Sequence, residues 1–214
     1  SWIEATTLHP HDLKTTPDTL PRIAAALRQL HQGPRFQGDF YFPLIRQKYR
    51  SIVTKNGYYI PEHYPELEPL VCTLEDALAE NPEPWVPCNN DLLAENFMDD
   101  GDKIWIIDYE YGGMNEASFD IGNLASESGL SDEQLARLCD AYWQEHLPQK
   151  IARAKAWSMI ARYGWIMWAS IQEAISTIDF NYREWGKLKW DSVYPELTGT
   201  AYTSVLQNLK NYTT

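Results

Sequence analysis

The stretch Pro87-Cys88-Asn89-Asn90-Asp91-Leu92-Leu93-Ala94-Glu95-Asn96-Phe97-Met98-Asp99-Asp100-Gly101-Asp102-Lys103-Ile104-Trp105-Ile106-Ile107-Asp108 organises the reading of this chain. It sets a carboxylate at Asp91, a carboxamide at Asn96 and a second carboxylate at Asp108, at the end of an apolar run. Asn96-Phe97-Met98 and Lys103 to Ile107 read as two short strands. The turn formers Asp99-Asp100-Gly101-Asp102 between them predict a hairpin. Such a hairpin brings Asn96 and Asp108 side by side at its open end. Taken singly, each of the three polar residues is an ordinary turn or strand-end residue, and only their joint spacing carries meaning.

Phosphoryl transfer from a nucleotide needs these groups in this order. One aspartate aligns the attacking hydroxyl and accepts its proton, while a carboxamide oxygen and another carboxylate hold the Mg²⁺ that neutralises phosphate charge. The D-x-x-x-x-N spacing from Asp91 to Asn96 matches a kinase catalytic loop, and Asp108 stands where a metal-binding aspartate follows it. Glu110, two residues beyond, points the same way if that segment is extended, and it orders the site, contacts the metal's water shell or forms a structural salt bridge.

The run N-D-L-L-A-E-N (90–96), then I-I-D-Y-E-Y-G-G-M-N (106–115) and F-D-I-G-N (119–123), resembles the choline/ethanolamine kinases, within the wider aminoglycoside-phosphotransferase and protein-kinase-like group. The likeness is densest between Trp85 and Glu127. It implies Asp91 as the catalytic residue, Asn96 and Asp108 as metal ligands, and Asp120 as a brace on the catalytic-loop backbone. The family has His where this chain has Asn89, a scaffold position. The resemblance also implies an acceptor site at Glu127, Trp165, Trp168 and Trp185. A quaternary ammonium has no N–H to donate, so aromatic faces and a carboxylate suit it. Core packing is the default reading of Trp165 and Trp168 at i and i+3, and the cation's need for aromatic faces favours the cage over it. A tyrosine found in some members is replaced by Asp132.

The fold implied is α+β and mostly helical, the C-terminal lobe of a protein-kinase-like fold with a small β-hairpin carrying the catalytic residues. Residues 1–214 make up that lobe. Trp2 to Leu8 resembles the hinge strand and 1–17 the hinge segment. The sequence holds no glycine-rich phosphate loop and no V-A-I-K lysine, so the N-terminal nucleotide lobe of the polypeptide is absent from it and the fragment alone is expected to be inactive. The implied reaction moves the γ-phosphate of ATP to the hydroxyl of choline or a related amino alcohol. An aminoglycoside or sugar kinase and a degenerate ligand-binding lobe are the alternatives.

Composition agrees. A chain of 214 residues, 44% hydrophobic and with nine Trp, is long and apolar enough for a continuous core. A formal charge of −12 disfavours nucleic acid and anionic lipid as partners. Cys72, Cys88 and Cys139 form no C-x-x-C pair and suggest a reducing cytoplasm. His9 and His11 have no partner at zinc spacing, and nothing reads as a signal or membrane span.

Along the chain, helices are expected over Thr19 to His31, Phe40 to Lys55, and Glu66 to Leu78. His31 reads as a helix-end residue packed under the next loop. Asp120 is expected to open a helix as its N-cap. Ser131-x-x-Gln134 is a capping box. A long helix is expected over Gln149 to Ile178, with Ala161, Trp165, Trp168, Gln172 and Ile175 on one face. A short segment, Phe180 to Trp185, and a last helix, Leu197 to Tyr212, complete the reading.

Overall fold

The computed structural model describes residues 4–211. In chain order the elements are β1 (Thr6–Thr7), α1 (Pro10–Thr15), α2 (Thr19–His31), α3 (Phe42–Asn56), α4 (Tyr64–Glu80), β2 (Trp85–Cys88), a 3-10 turn (Ala94–Asn96), β3 (Phe97–Asp99), β4 (Ile104–Ile106), β5 (Gly113–Glu116), α5 (Ala117–Ser128), α6 (Asp132–Trp143), α7 (Pro148–Ile175), α8 (Tyr182–Thr198) and α9 (Thr200–Lys210). The chain is mostly helical with small sheets, as its sequence predicts. Among the described residues no helix is long and apolar enough to cross a membrane.

These elements divide into two compact units, the first formed by 1–40 and 83–158 and the second by 41–82 and 159–214. In the first, β1, β3 and β4 form one antiparallel sheet, with Thr7 opposite Met98 and Phe97 opposite Ile106. A second sheet pairs β2 with β5, Cys88 opposite Gly113. The core gathers Leu20, Ile23 and Leu27 of α2, Leu92 and Phe97 of the loop and hairpin, Ile121 and Leu124 of α5, and Leu135 and Leu138 of α6. Burial of these side chains, about 1.5–3 kcal/mol each, fixes the hairpin against the helices. Helix α2 has the bounds expected: Pro21 suits its first turn, and Ile23, Leu27 and His31 fall on one buried stripe.

The second unit holds α3, α4, the later turns of α7, and α8 and α9. Its centre is polar as well as apolar. Arg46 is 1% exposed and forks onto both oxygens of Glu75 at 2.6 Å while reaching Glu68 at 2.7 Å. Tyr64 and Tyr163 stack at 4.0 Å. Two carboxylates thus neutralise and hydrogen-bond one buried guanidinium, the condition under which burying a charge is tolerated.

Several expectations need correction. Asp120 is not an N-cap: α5 starts three residues earlier, after Glu116, and Asp120 lies inside it with 0% exposure. Helix α3 starts at Phe42, and α4 starts at Tyr64 because Pro65 is accommodated in the first turn, where its missing N–H costs nothing. Helix α7 ends at Ile175, since Ser176 Oγ accepts from the Ile178 N–H at 3.1 Å and turns the chain out of the helix. It is not buried on one face alone. Met159, Ile160, Tyr163 and Met167 are buried around its later turns, while Ile175 is 59% exposed. Trp185 belongs to a full helix, α8, capped by Asn181 accepting from Glu184 N–H at 3.0 Å. Leu197 lies in the last turn of α8, which ends at Thr198, and Gly199 separates it from α9. Tyr212, and Trp2 and Ile3 of the hinge reading, lie outside the described residues. The hinge segment carries β1 and also α1, which the sequence reading lacks.

Candidate active site

The loop leaving β2 is held by side-chain hydrogen bonds to its backbone. Asn89 and Asn90, both 0% exposed, donate their backbone N–H groups to the two oxygens of Asp120, at 2.9 and 2.7 Å. Asp120 therefore braces the backbone of this loop, as the resemblance implied, instead of capping its own helix, and charge-assisted bonds of this kind are about twice as strong as neutral ones. His31 Nε2 lies 3.1 Å from Asp120 Oδ2, and its Nδ1 lies 2.7 Å from the Tyr142 hydroxyl. His31 is thus the buried helix-end residue expected, tied to Asp120.

Asn90 adopts the left-handed conformation, φ 68°, which Asn tolerates better than most residues. Its amide donates to Tyr111 O at 3.0 Å and accepts from Asn115 Nδ2 at 2.9 Å, fixing the reversal. Asn89 uses both ends of its side chain. Oδ1 accepts from Asp91 N–H at 3.1 Å, and Nδ2 donates to Asp108 O at 2.7 Å. One carboxamide in the position where the resembling family has His therefore ties the backbone of Asp91 to that of Asp108.

Asn96 closes the third side. Its Nδ2 donates to Asp91 O at 2.8 Å, and its carbonyl accepts from Ile107 N–H at 2.9 Å, across the mouth of the β3–β4 hairpin. This engages Nδ2 of the carboxamide in the backbone frame. Asp108 is exposed and left-handed, φ 59°, an unusual conformation of the sort that collects at functional sites. Asp91, Asn96 and Asp108 thus sit on one hydrogen-bonded frame. Glu110 does not continue an extended segment: Asp108 turns the chain, and Gly112 N–H bonds Tyr109 O at 2.9 Å. The alternation argument for Glu110 therefore does not apply, and it lies exposed in a turn.

Support comes from two further clusters. Glu116, where β5 meets α5, receives Arg153 Nε at 2.8 Å and Nη2 at 2.6 Å, and Trp157 Nε1 at 2.9 Å. Gly122 of α5 lies so close to α7 that a Cβ there would stand 2.3 Å from Ala154 O. His31, Cys88 and Asp120 bring three potential ligand atoms within 4.8 Å of one another. Their hydrogen bonds already occupy the imidazole and the carboxylate, and burial, reinforced by Asp120, pushes the Cys88 thiol well up so that it stays protonated. This is an anchor for the loop.

Of the expected acceptor residues, Glu127 is half-buried in the last turn of α5, in the first unit. The tryptophans belong to the second unit and gather there. Trp168 meets Trp165 at 6.1 Å, Trp185 at 5.5 Å and Tyr182 at 5.8 Å between ring centroids, all edge to face. Tyr182, Tyr142 and Asn90 did not emerge from sequence, nor did the contact between His31 and Asp120. Only the adjacent Asn89-Asn90 pair carries a local sign, a preference for the left-handed turn.

A family model described as choline/ethanolamine kinase matches residues 1–144. The crystal structure of a choline/ethanolamine kinase family protein from Mesorhizobium loti superposes with a TM-score of 0.92 at 26% identity, covering 98% of this chain and 73% of that one. The choline kinase LicA from Streptococcus pneumoniae gives 0.74 at 25% identity, over 92% of this chain and 69% of that one. Ethanolamine kinase 2 of Rattus norvegicus is 30% identical over 149 residues, 60% of this chain and 39% of that protein. The matched stretch therefore spans well under two thirds of that curated relative.

Proposed function

This chain belongs to the choline/ethanolamine kinase family, and from that premise we propose that the complete protein transfers the γ-phosphoryl group of ATP to the hydroxyl of an amino alcohol. The observation that carries the reading is the single hydrogen-bonded frame joining Asp91, Asn96 and Asp108 through Asn89 and Asp120. In this reading Asp91 aligns the acceptor hydroxyl and takes its proton as the phosphoryl group arrives. The frame's rigidity is its main contribution, since holding reactants in line is worth ~7 kcal/mol or more.

The donor set also fits a magnesium ion. A carboxamide oxygen at Asn96 and a carboxylate at Asp108 are hard oxygen ligands, and the fixed Nδ2 of Asn96 leaves the oxygen as its only ligand atom. When bound, the ion would neutralise charge on the nucleotide phosphates. Asp120 and Asn89 position the backbone, and Glu110 is assigned no more than a place on the exposed rim.

Glu127 and the cluster of Trp165, Trp168 and Trp185 are the groups we assign to the acceptor's ammonium. A dense aromatic cluster favours a cationic alcohol over a polyhydroxyl sugar or an aminoglycoside, whose many donors call for carboxylates. The test is a panel in which the complete protein, with Mg²⁺ and ATP, is offered ethanolamine, choline, an aminoglycoside and a hexose while ADP release is followed. Turnover with an amino alcohol is expected. Turnover only with the aminoglycoside or hexose, or with none, contradicts the reading.

A further inference from the structure

Strand β4 leaves one edge of its sheet open. The strand order is β1-β3-β4, so among the described residues only β3 pairs with it. Ile107 N–H bonds Asn96 O at 2.9 Å and Asp100 N–H bonds Lys103 O at 3.2 Å, so these two residue pairs are hydrogen-bonded rungs of an antiparallel ladder. Such rungs alternate with non-bonded ones. Phe97 with Ile106, and Asp99 with Ile104, are therefore the non-bonded pairs, and the N–H and C=O groups of Ile104 and Ile106 point away from β3. Among the described residues none of these groups has a hydrogen-bond partner.

That edge opens onto a cleft of about 310 Å³, lined by Ala26 and Leu30 of α2, Phe36, Tyr109 and the run from Lys103 to Ile106. Successive strand residues point to opposite faces, so a cleft that touches the whole run follows the edge of β4. All of these residues belong to the first unit. Ile104 and Ile106 face the core beside α2, and Lys103 and Trp105 face the other way. Lys103 is the one charged side chain in the lining. Its ammonium lies 3.5 Å from the Trp105 ring centroid and forms no ion pair among the described residues. Asp100 turns its oxygens to the N–H groups of Asp102, Lys103 and Trp105. A strand added here would thus alternate between an apolar wall and an ammonium. A second copy's β4 fits less well, because it would bring another lysine to an edge whose charge is already positive.

We propose that the β4 edge is a docking site for an extended segment of a partner protein in which apolar and acidic residues alternate, and that the segment binds by adding a strand to the sheet. Backbone pairing with Ile104 and Ile106 supplies the attachment. The apolar side chains enter the cleft beside Ala26 and Leu30, and the acidic ones meet Lys103. The proposal stands apart from the kinase reading, since no residue of the catalytic frame takes part in it.

The test titrates the complete protein with the peptide acetyl-Ser-Glu-Val-Glu-Val-Glu-Ser-amide, which reads alike in both directions and so suits either strand orientation. Saturable binding is expected. The Ile104 and Ile106 amides should gain about tenfold or more in protection from hydrogen exchange, while those of Trp105 and Ile107, which face β3, change little. Lys103→Glu should weaken binding about fivefold or more, and Ala26→Phe, which fills the cleft, should abolish it. A peptide with lysine in place of glutamate should also bind about fivefold or more weakly, although the chain's charge of −12 attracts it. No saturable binding up to about 1 mM, equal or tighter binding of the lysine peptide, or binding that leaves the Ile104 and Ile106 amides unprotected overturns the proposal. A free protein that dimerises with those amides already protected overturns it in favour of a second copy. Should Ala26→Phe not fold, the same peptide N-methylated along its length, which donates no backbone hydrogen bond, decides on the wild type: lost binding supports the proposal, and equal affinity overturns it.

Discussion

Replacing Asp120 with Asn changes one atom and should release the loop that carries Asp91. In the native frame Oδ1 accepts from Asn90 N–H at 2.7 Å and Oδ2 accepts from Asn89 N–H at 2.9 Å, with His31 Nε2 3.1 Å from Oδ2. An amide has a single acceptor oxygen. Whichever way the substituted carboxamide is turned, its NH₂ faces one backbone N–H, and that buried donor is left unpaired, at about 1–3 kcal/mol. The surviving bond loses its charge, worth about 1 kcal/mol more, so a total of about 3 kcal/mol is expected. In a protein of this size that lowers Tm by roughly 6–12 °C. Hydrogen exchange localises the effect: the amides of Asn89 and Asn90 should lose about 100-fold in protection, since 1.4 kcal/mol is a factor of ten. Turnover should fall too, because Asp91 follows directly. A variant that melts within 2 °C of wild type with those two amides still protected would refute Asp120 as the anchor of the loop.

Gly122→Ala places a methyl against the backbone of α7, 2.3 Å from Ala154 O and 2.9 Å from Ser158 N, so it should destabilise by about 2 kcal/mol or more in a denaturant melt, although Ala ordinarily favours helices. The pH dependence of the hairpin is set in part by Asp99, whose carboxyl is held below its ordinary value of 3.8, first by its hydrogen bond to Arg22, with partial burial opposing and the Gly101 N–H assisting. A depressed folded pKa gives stability that is present above the ordinary value and lost as pH falls below it. The Tm difference between wild type and Arg22→Met should accordingly be constant near neutrality and shrink below pH 3.8. A difference that grows on acidification would exclude this pairing as its source.

Much of the site was legible because its information is local. Asp99-Asp100-Gly101-Asp102 between apolar runs specified the hairpin, and the hairpin alone puts Asn96 beside the residue preceding Asp108. Helix α2 was legible for the same reason, its apolar stripe and first-turn proline lying in adjacent residues. The sheet of β2 and β5 was not. Trp85-Val86-Pro87-Cys88 follows two prolines and contains a third, and Gly113-Met114-Asn115-Glu116 has no strand signature; each is a strand only because the other pairs with it. His31 and Asp120 are separated by 89 residues, so no spacing rule could join them. Local sequence read Asp120 as a cap because an acidic residue early in a helix usually is one; only the family resemblance pointed to it as a brace on the catalytic-loop backbone, where the donors of Asn89 and Asn90 meet it.

The central claim is that Asp91 handles the acceptor hydroxyl on a frame that is otherwise intact without it. Asp91→Ala in the complete protein tests this most directly, with ATP-dependent turnover of the preferred amino alcohol, Mg²⁺·ATP affinity by calorimetry and Tm measured on the same preparation. The account predicts turnover reduced by ~10²–10⁴-fold, with nucleotide affinity and Tm close to wild type. Turnover within tenfold of wild type in a folded, nucleotide-binding variant would contradict it.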